Sequence, residues 1–326
     1  MAKSHTVDFL NSGFVVKTAM AETFNNKLKA EVEQIRLLHT LYPEFMVPIL
    51  HEGLAGGRQF YILEKKNSLP LSNIVFDEFR PLSERRKIVQ NTLEKIKKAI
   101  EREIDQQIPT SDYMTSKLQE EWEGTSFAHA LFEQPILLNG NRVNFTAKDI
   151  FEKALALAGN EKFLSVKKAH FNFHFGNVLY DEAQSLTNFI DPDFSVNGID
   201  PVFGFSRFAF SFWHELATEA QEAVKIVPMP DSLMFVLAKQ DYSNILSEIP
   251  EVGNIDGIMP FMDKSMRNRF YVLTTYCFLR SIRINGSKQK WKAPCCPTTA
   301  KPEEVLMLGM LNYLEGTNVK SKNCCA

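Results

Sequence analysis

The sequence predicts an α+β fold with two unequal lobes: a small β-rich N-lobe with one helix, followed by a larger, mainly helical C-lobe. Short apolar runs bounded by turn residues dominate the first 66 residues. From residue 67 to 316, longer segments with helical spacing dominate instead. The length, 326 residues, exceeds what one ordinary core fills and suits one large bilobal domain or two modest ones.

The N-lobe, expected over residues 1–66, has the order strand, strand, helix, strand, strand. The second strand is a compact apolar run that ends in Lys17, and the last two strands are separated by the turn Gly56-Gly57. The helix has apolar residues at helical spacing with charges between them. The predicted bounds are 5–11 and 13–17 for the first strands, 25–41 for the helix, and 46–50 and 59–63 for the last strands.

The C-lobe pattern is helical except for one hairpin. Its first helices are expected at 83–104, 113–122 and 148–158, and the chain is expected to be mostly helical again after residue 205, apart from a loop at 285–302. Between them, the short apolar runs 178–180 and 188–190 predict a small hairpin with loops. The polar segment 317–326 is expected to be a flexible tail.

The composition is that of a soluble globular protein. Apolar residues make up 44% and charged residues 23%. The 37 Lys and Arg are balanced by 39 Asp and Glu, and a nucleic-acid binder would need a basic excess. No apolar run has the roughly 18 residues that a membrane span requires. We therefore expect neither a nucleic acid nor a membrane as partner.

The cysteines and the polar N-terminus indicate the compartment. The five cysteines are odd in number, and four of them form the adjacent pairs Cys295–Cys296 and Cys324–Cys325, which is a poor disulfide framework. Adjacent cysteines also lack the usual gap between zinc ligands. No apolar signal-peptide core is present near the N-terminus. We expect a reducing, cytoplasmic location.

The polar loop and hairpin around residues 170–191 carry the most specific chemical signal. The loop HFNFHFGN begins at His170 and ends at Asn177, and the second hairpin strand leads into Asp191. Phosphoryl transfer needs oxygen ligands for Mg²⁺, and kinases supply a loop Asn and a later Asp in this order. Asn177 and Asp191 are therefore candidate metal ligands. The alternative is a structural hairpin whose polar residues form turn hydrogen bonds.

These motifs resemble the aminoglycoside phosphotransferase and choline kinase-like family. That family has His-x-Asp-x-x-x-x-Asn, a hairpin, and then Ile-Asp. The sequence is most similar to members found with polysaccharide and capsule genes, through its segments 175–177 (Phe-Gly-Asn), 190–192 (Ile-Asp-Pro) and 198–201 (Gly-Ile-Asp-Pro). The resemblance covers residues 14 to about 220. It implies a protein-kinase-like two-lobed fold, ATP and Mg²⁺ as cofactors, and a small-molecule hydroxyl acceptor, with a sugar as one candidate.

The resemblance also implies nucleotide contacts in the N-lobe. In such folds a strand lysine holds the ATP phosphates and pairs with a helix glutamate. Lys17 and Glu31 have these positions, with Glu33 as the alternative partner. Glu64 and Lys65 are expected at the hinge, where backbone groups meet adenine. A lysine at a strand end can also extend to solvent without any such role.

Three features depart from the family pattern. The catalytic Asp, two residues after His170, is Asn172, and an amide is not a base. The Asp that begins a later helix and holds the catalytic loop is Gly204. Only 16 residues precede Lys17, and none of them forms a glycine-rich loop, so we expect either an abbreviated N-lobe or a reading frame that begins inside a longer ancestor. His174 is an alternative base because imidazole suits proton transfer near neutral pH.

Two functions are compatible with these residues. The first is an ATP- and Mg²⁺-dependent phosphotransferase with an atypical catalytic loop, in which Asn172 lies where the acceptor hydroxyl arrives and His170 holds the loop backbone. The second is a pseudokinase that binds nucleotide or a protein partner without turnover. Asn172, Gly204 and the short N-terminus favour the second, whereas Lys17, Asn177 and Asp191 favour the first. An inert remnant or an interaction scaffold is a third possibility, which these residues favour less.

Overall fold

The computed structural model describes residues 4–104, 108–110, 113–166, 169–192, 198–218, 222–286 and 289–315. The strands are β1 (His5–Leu10), β2 (Phe14–Ala19), β3 (Ile49–Ala55), β4 (Arg58–Glu64), β5 (Leu69–Pro70), β6 (Ile108–Thr110), β7 (Ile136–Leu138), β8 (Asn141–Arg142), β9 (Phe163–Ser165), β10 (Val178–Asp181), β11 (Leu186–Phe189), β12 (Val224–Met229), β13 (Ser232–Leu237) and β14 (Thr298–Thr299). The predicted tail at 317–326 lies outside the described residues.

The helices are α1 (Asn25–Leu41), α2 (Leu71–Val75), α3 (Leu82–Ile104), α4 (Tyr113–Gly124), α5 (His129–Phe132), α6 (Ala147–Asn160), α7 (Phe203–Thr218), α8 (Gln240–Glu248), α9 (Pro250–Gly253), α10 (Ile255–Ile258), α11 (Lys264–Asn285) and α12 (Pro302–Glu315). Strands dominate the N-terminal part, which has one long helix, and helices dominate the C-terminal part. The predicted α+β class is confirmed.

The chain divides into two compact units that are discontinuous in sequence. Unit 1 comprises Met1–Ile74, Glu94–Ile108 and Leu164–Gly204, and unit 2 comprises Val75–Leu93, Pro109–Phe163 and Phe205–Ala326. The predicted loop and hairpin therefore belong to the same unit as the N-terminal strands. The lobe boundary at residue 67 stays a prediction.

Unit 1 is built on an antiparallel sheet with strand order β1-β2-β4-β3. One strand, β1, precedes the strand that carries Lys17, and the two are joined by a turn that ends at Gly13. The helix α1 covers residues 25–41 as predicted, and its apolar stripe, which includes Leu28, Val32 and Ile35, is buried.

The prediction for β3 was wrong in position. A strand was expected at 46–50, whereas β3 runs from Ile49 to Ala55. Its pairing with β4 closes at Ala55 and Arg58 across Gly56-Gly57, both with positive φ, as a two-residue hairpin turn requires. The stretch His51-Glu52-Gly53 has no apolar alternation, so the sequence pattern did not reveal the strand.

A second sheet of unit 1 contains the predicted hairpin. Its order is β11-β10-β5, and Val178 pairs with Phe189. The short strand β5 ends in Pro70, which is tolerated because β5 lies at the edge of the sheet. This hairpin places the end of β11 next to the loop that precedes β10, since residues paired across antiparallel strands are direct neighbours.

Unit 2 is mainly helical, with α11 packed against α4, α6 and α12. The expectation of a mostly helical chain after residue 205 was wrong for β12 and β13. These strands form a hairpin in which buried and less buried residues alternate, and Pro230 and Asp231 make the turn. The sequence pattern did not distinguish these two strands from the neighbouring helices, because each strand has only six residues. Within the described part of the chain, no helix combines the length and apolarity needed to cross a membrane.

Candidate active site

Lys17, on β2, forms ion pairs with residues from two other elements of unit 1. Its side chain is buried, and Nζ lies 2.6 Å from Oε1 of Glu31 on α1. The same nitrogen lies 2.6 Å from Oδ1 of Asp191, which follows β11. Tyr61 on β4 donates its hydroxyl to Glu31 over 2.6 Å. Lys17 therefore points inward, and Glu33, the other candidate partner, is exposed.

The sheet register explains why these groups converge. Tyr61 is directly opposite Lys17 in the β2–β4 pairing, so both side chains leave the sheet on the same face. Glu31 lies on the buried stripe of α1, one turn from Leu28 and Ile35. A buried carboxylate is costly unless it is paired and hydrogen-bonded, and Lys17 and Tyr61 provide both compensations.

Lys17 and Asp191 each stabilise the charged form of the other. Burial by itself would lower the pKa of Lys17, but the carboxylates of Asp191 and Glu31 together raise that pKa above its usual value. Partial burial would raise the pKa of Asp191, but the Lys17 ammonium lowers it below its usual value. Both groups are therefore charged at neutral pH.

The backbone of Asp191 is held in an unusual conformation. Its φ is 54°, in the left-handed region that non-glycine residues rarely adopt. The side-chain amides of Asn172 and Asn177 donate to its carbonyl over 3.1 and 3.2 Å. The Asp191 side chain is 47% exposed, so the restrained backbone presents a carboxylate that is accessible from solvent.

Asn177 and Asp191 carry side-chain oxygen atoms of the type that Mg²⁺ prefers. The Asn177 amide nitrogen donates to the carbonyls of Asn172 and Asp191, which directs the amide oxygen away from them. Mg²⁺ prefers oxygen ligands and is commonly held by one or two protein groups plus substrate phosphates. The described residues contain no cluster of three or more His, Cys, Asp or Glu that could hold a metal alone.

His170 is a structural residue of the loop. It is fully buried and its ring stacks on Phe173, with centroids 4.4 Å apart. Burial lowers the pKa of His170 to about 3, so the ring is neutral. Its Nδ1 accepts the backbone N–H of Asn172 over 3.3 Å, which places the ring proton on Nε2.

Two other loop residues bear on the question of a catalytic base. Residue 172 is an asparagine and therefore provides no carboxylate. Its side-chain amide donates to the carbonyl of Asp191. Nδ1 of His174 accepts the N–H of Gly176 over 3.1 Å, so His174 caps the N-terminus of the short 3-10 helix Phe175–Asn177. If His174 accepts a proton from a substrate, it must do so through Nε2.

Glu64 and Lys65 lie at the end of β4, and their side chains are exposed. Glu64 pairs with Lys66 over 2.6 Å. The backbone N–H of Lys65 donates to the carbonyl of Gly13. The structure thus brings together Lys17, Glu31, Asn172, Asn177 and Asp191, whereas Glu64 and Lys65 make their contacts elsewhere.

Sequence reasoning missed the buried polar residues Tyr61, Gln34 and Glu103. Gln34 donates to the carbonyl of Ala169 over 2.7 Å, and Glu103 accepts the N–H of His170 over 3.0 Å. A signal for Gln34 existed, because it interrupts the apolar stripe of α1 one turn after Glu31. Polar residues on an otherwise buried helix face need a partner in the fold.

A close contact explains the glycine at position 204. A Cβ atom on Gly204 would lie 2.7 Å from Cδ2 of Phe173 and 3.4 Å from Cδ1 of Ile100. The Phe173 ring that stacks on His170 therefore occupies the space next to residue 204. An Asp at 204 does not fit this arrangement of the loop.

We expect Gly204→Ala to destabilise the protein by about 1–3 kcal/mol, because the added methyl group overpacks against Phe173. Urea unfolding measures the change. Gly159→Ala is the matched control, since Gly159 is also helical, is exposed, and has open space where a Cβ atom would stand. There the change should stabilise by roughly 0.5–1 kcal/mol through helix propensity. Equal effects at both sites would contradict the steric account.

Comparison with known proteins gives structural similarity only. The sequence matches no protein-family model and has no significant match among curated proteins. Among solved structures, the chain is similar to wild-type aminoglycoside 2'-phosphotransferase-IIIa in its GDP complex, with a TM-score of 0.49, 13% identity, and coverage of 87% of this chain and 83% of that chain.

Two further structures are similar at lower scores. An aminoglycoside-3'-phosphotransferase of type VIII has a TM-score of 0.40 and 14% identity, covering 84% of this chain and 94% of that one. The GDP and kanamycin complex of APH(2")-IIia has a TM-score of 0.42 and 12% identity, covering 86% and 83%.

Proposed function

We propose that the chain is an ATP- and Mg²⁺-dependent phosphotransferase that transfers the γ-phosphate to a hydroxyl group of a small polar molecule, with a sugar as one candidate. The observation that supports it is the convergence on Lys17 of a helix carboxylate, Glu31, and a loop carboxylate, Asp191, each 2.6 Å away. A buried lysine held between two carboxylates is oriented to meet phosphate oxygens when one carboxylate turns to a metal.

The sheet face around Lys17 also suits a purine. Val7 is paired with Lys17 and Phe9 with Val15, so all four side chains share one face. Val7 is 45% exposed and Phe9 67% exposed, although both are apolar. A nucleotide base has flat apolar faces and would cover such side chains. We place the base there, with Glu64 and Lys65 as proposed neighbours at the end of β4.

The proposed roles follow from the contacts. Lys17 binds phosphate, Glu31 and Tyr61 orient Lys17, and Asn177 and Asp191 would hold Mg²⁺, which neutralises charge on the phosphates. Asn172 would lie beside the acceptor hydroxyl and orient it through its amide. Phosphoryl transfer through a loose transition state depends mainly on positioning and electrostatics, so an amide at this position is compatible with turnover.

A pseudokinase is the second candidate, favoured by one observation. The Asn172 side chain donates to Asp191, and the buried, neutral His170 does not supply a base in its place. Such a protein would bind nucleotide through the same residues without transferring phosphate.

Isothermal titration of the full chain with ATP and with GTP, with and without Mg²⁺, tests the proposal. We expect nucleotide binding that strengthens at least about tenfold when Mg²⁺ is present, because the metal links phosphates to Asp191 and Asn177. Absence of binding to either nucleotide at millimolar concentration would reject both candidate functions.

Asn172→Asp, assayed in parallel for binding and for phosphorylation of sugars and amino alcohols, separates the two candidates. For a phosphotransferase, a positioned carboxylate should raise turnover by about 10²-fold. Nucleotide affinity should stay nearly constant, since residue 172 faces the acceptor. If nucleotide binds but neither protein transfers phosphate, the pseudokinase is the correct function.

A further inference from the structure

One buried peptide group at the start of the loop is held on both sides. The carbonyl of Ala169 accepts a hydrogen bond from Nε2 of Gln34, 2.7 Å away. The N–H of the next residue, His170, donates to Oε1 of Glu103 over 3.0 Å. These two groups belong to the same peptide plane. Gln34 comes from α1 and Glu103 from α3, so two helices fix the orientation of this plane.

Glu103 is buried and makes two hydrogen bonds, both through the same oxygen atom. It is 1% exposed, and the same Oε1 also accepts the hydroxyl of Tyr42 over 2.9 Å. Its second oxygen, Oε2, is buried and has no hydrogen-bond partner among the described residues. Burial raises the pKa of Glu103 to about 8, against the opposing effect of the His170 N–H and the Tyr42 hydroxyl. Burying a carboxyl group costs free energy, and the two hydrogen bonds of Glu103 offset part of that cost.

The fixed peptide leads directly to the candidate active site. Phe171, the next residue, has φ of 57°, a strained conformation for a bulky side chain. Asn172 then reaches back with its N–H to His170 and with its side-chain amide to the carbonyl of Asp191. A strained residue persists only where its surroundings hold it, and the clamped peptide ends at His170, the residue before Phe171.

We propose that Glu103 is a positioning residue for the loop, which by holding the His170 N–H maintains the left-handed turn at Phe171 and thereby places Asn172 against Asp191. The inference deepens the proposed function and, as far as turnover is concerned, rests on it. Glu103 makes its hydrogen bonds to Tyr42 and His170, and not to Lys17 or Asp191. It acts through the backbone of His170.

Amide hydrogen exchange of the full chain without nucleotide tests the contact itself. In Glu103→Met, which keeps the length of the side chain but removes the acceptor, we expect loop peptides covering 169–177 to exchange about tenfold faster, the factor for one lost net hydrogen bond. Glu103→Gln retains an acceptor oxygen and should exchange within about threefold of wild type. Tyr42→Phe is the matched control, since it removes the other hydrogen bond to Glu103 and leaves the one to His170.

The pattern among these variants decides the inference. Faster exchange confined to the loop in Glu103→Met, with Glu103→Gln and Tyr42→Phe close to wild type, supports it. Unchanged loop exchange in Glu103→Met, or an equal rise in the β1–β2 hairpin, overturns it, because the residue would then serve only global stability. If Glu103→Met does not fold, Gln34→Met tests the same peptide from its carbonyl side, with the same expected and contrary results.

Turnover provides an independent readout. For an active enzyme, Glu103→Met should lower kcat about tenfold while the Kd for Mg²⁺-nucleotide changes less than about threefold, since Lys17 and Asp191 are untouched. Glu103→Gln should restore kcat. A wild type that binds no nucleotide rejects the proposed function alone, because hydrogen exchange still decides whether Glu103 positions the loop.

Discussion

Asp191→Asn is expected to abolish the magnesium dependence of nucleotide binding and to lower phosphate transfer by about 10³-fold or more, equivalent to roughly 4 kcal/mol of transition-state stabilisation. Asparagine has nearly the same shape and keeps the backbone carbonyl that Asn172 and Asn177 contact. It lacks the negative charge that attracts Mg²⁺. Titrations with ATP at saturating Mg²⁺ and in EDTA measure the first effect, and phosphate transfer measures the second.

The matched control is Asp8→Asn, since Asp8 is an exposed carboxylate on β1 of the same unit. It should leave both quantities unchanged. Nucleotide binding by Asp191→Asn in the absence of Mg²⁺ should resemble that of wild type, because Lys17 remains available to phosphate. Full magnesium dependence in Asp191→Asn would show that Asp191 is not a metal ligand, and the proposed mechanism would have to be abandoned.

Lys17→Met should destabilise the fold by about 3–5 kcal/mol, because removing one partner of a buried ion pair leaves the other without compensation. Glu31 is 4% exposed and would lose its cationic partner, although the hydroxyl of Tyr61 would still donate to it. The same variant should weaken nucleotide binding by about tenfold to 10²-fold, the range for a lost charge-assisted hydrogen bond. Urea unfolding and isothermal titration give the two numbers.

A double variant identifies the cause of the instability. Lys17→Met combined with Glu31→Met removes both charges and should recover most of the lost stability, since an apolar pair of similar volume often replaces a buried ion pair without cost. Nucleotide binding should stay weak in the double variant. Lys29→Met, at an exposed position of α1, is the control and should change neither quantity. No recovery in the double variant would mean that packing, rather than the unpaired carboxylate, accounts for the loss.

Local sequence patterns predicted the elements that bring the site together. The apolar period of 25–41 defined α1 correctly, and the run that ends in Lys17 was correctly placed on a strand. The two short apolar runs after residue 177 predicted the β10–β11 hairpin. Such patterns reflect the repeat of each element and the face that it buries, which neighbouring residues determine.

The predictions were wrong where the local pattern did not distinguish a strand from a loop or a helix. The stretch 51–53 in the middle of β3 lacked apolar alternation, and the β12–β13 hairpin lies in a region that was expected to be mostly helical. Glu103 lies near the end of a long, correctly predicted amphipathic helix, where a glutamate is ordinarily solvated. Its burial became evident only from the elements packed around it.

The sequence by itself determined the α+β class, the helix α1, and the order in which Lys17, Asn177 and Asp191 follow one another. Only the tertiary structure decided that Lys17 meets Asp191, 174 residues away, and that Glu103 holds the backbone of a residue 67 positions later. It also decided that Gly204 must lack a side chain, because the Phe173 ring fills that space. The physical reason is that periodicity fixes which face an element buries, whereas packing between distant elements selects the partner that each buried polar group finds.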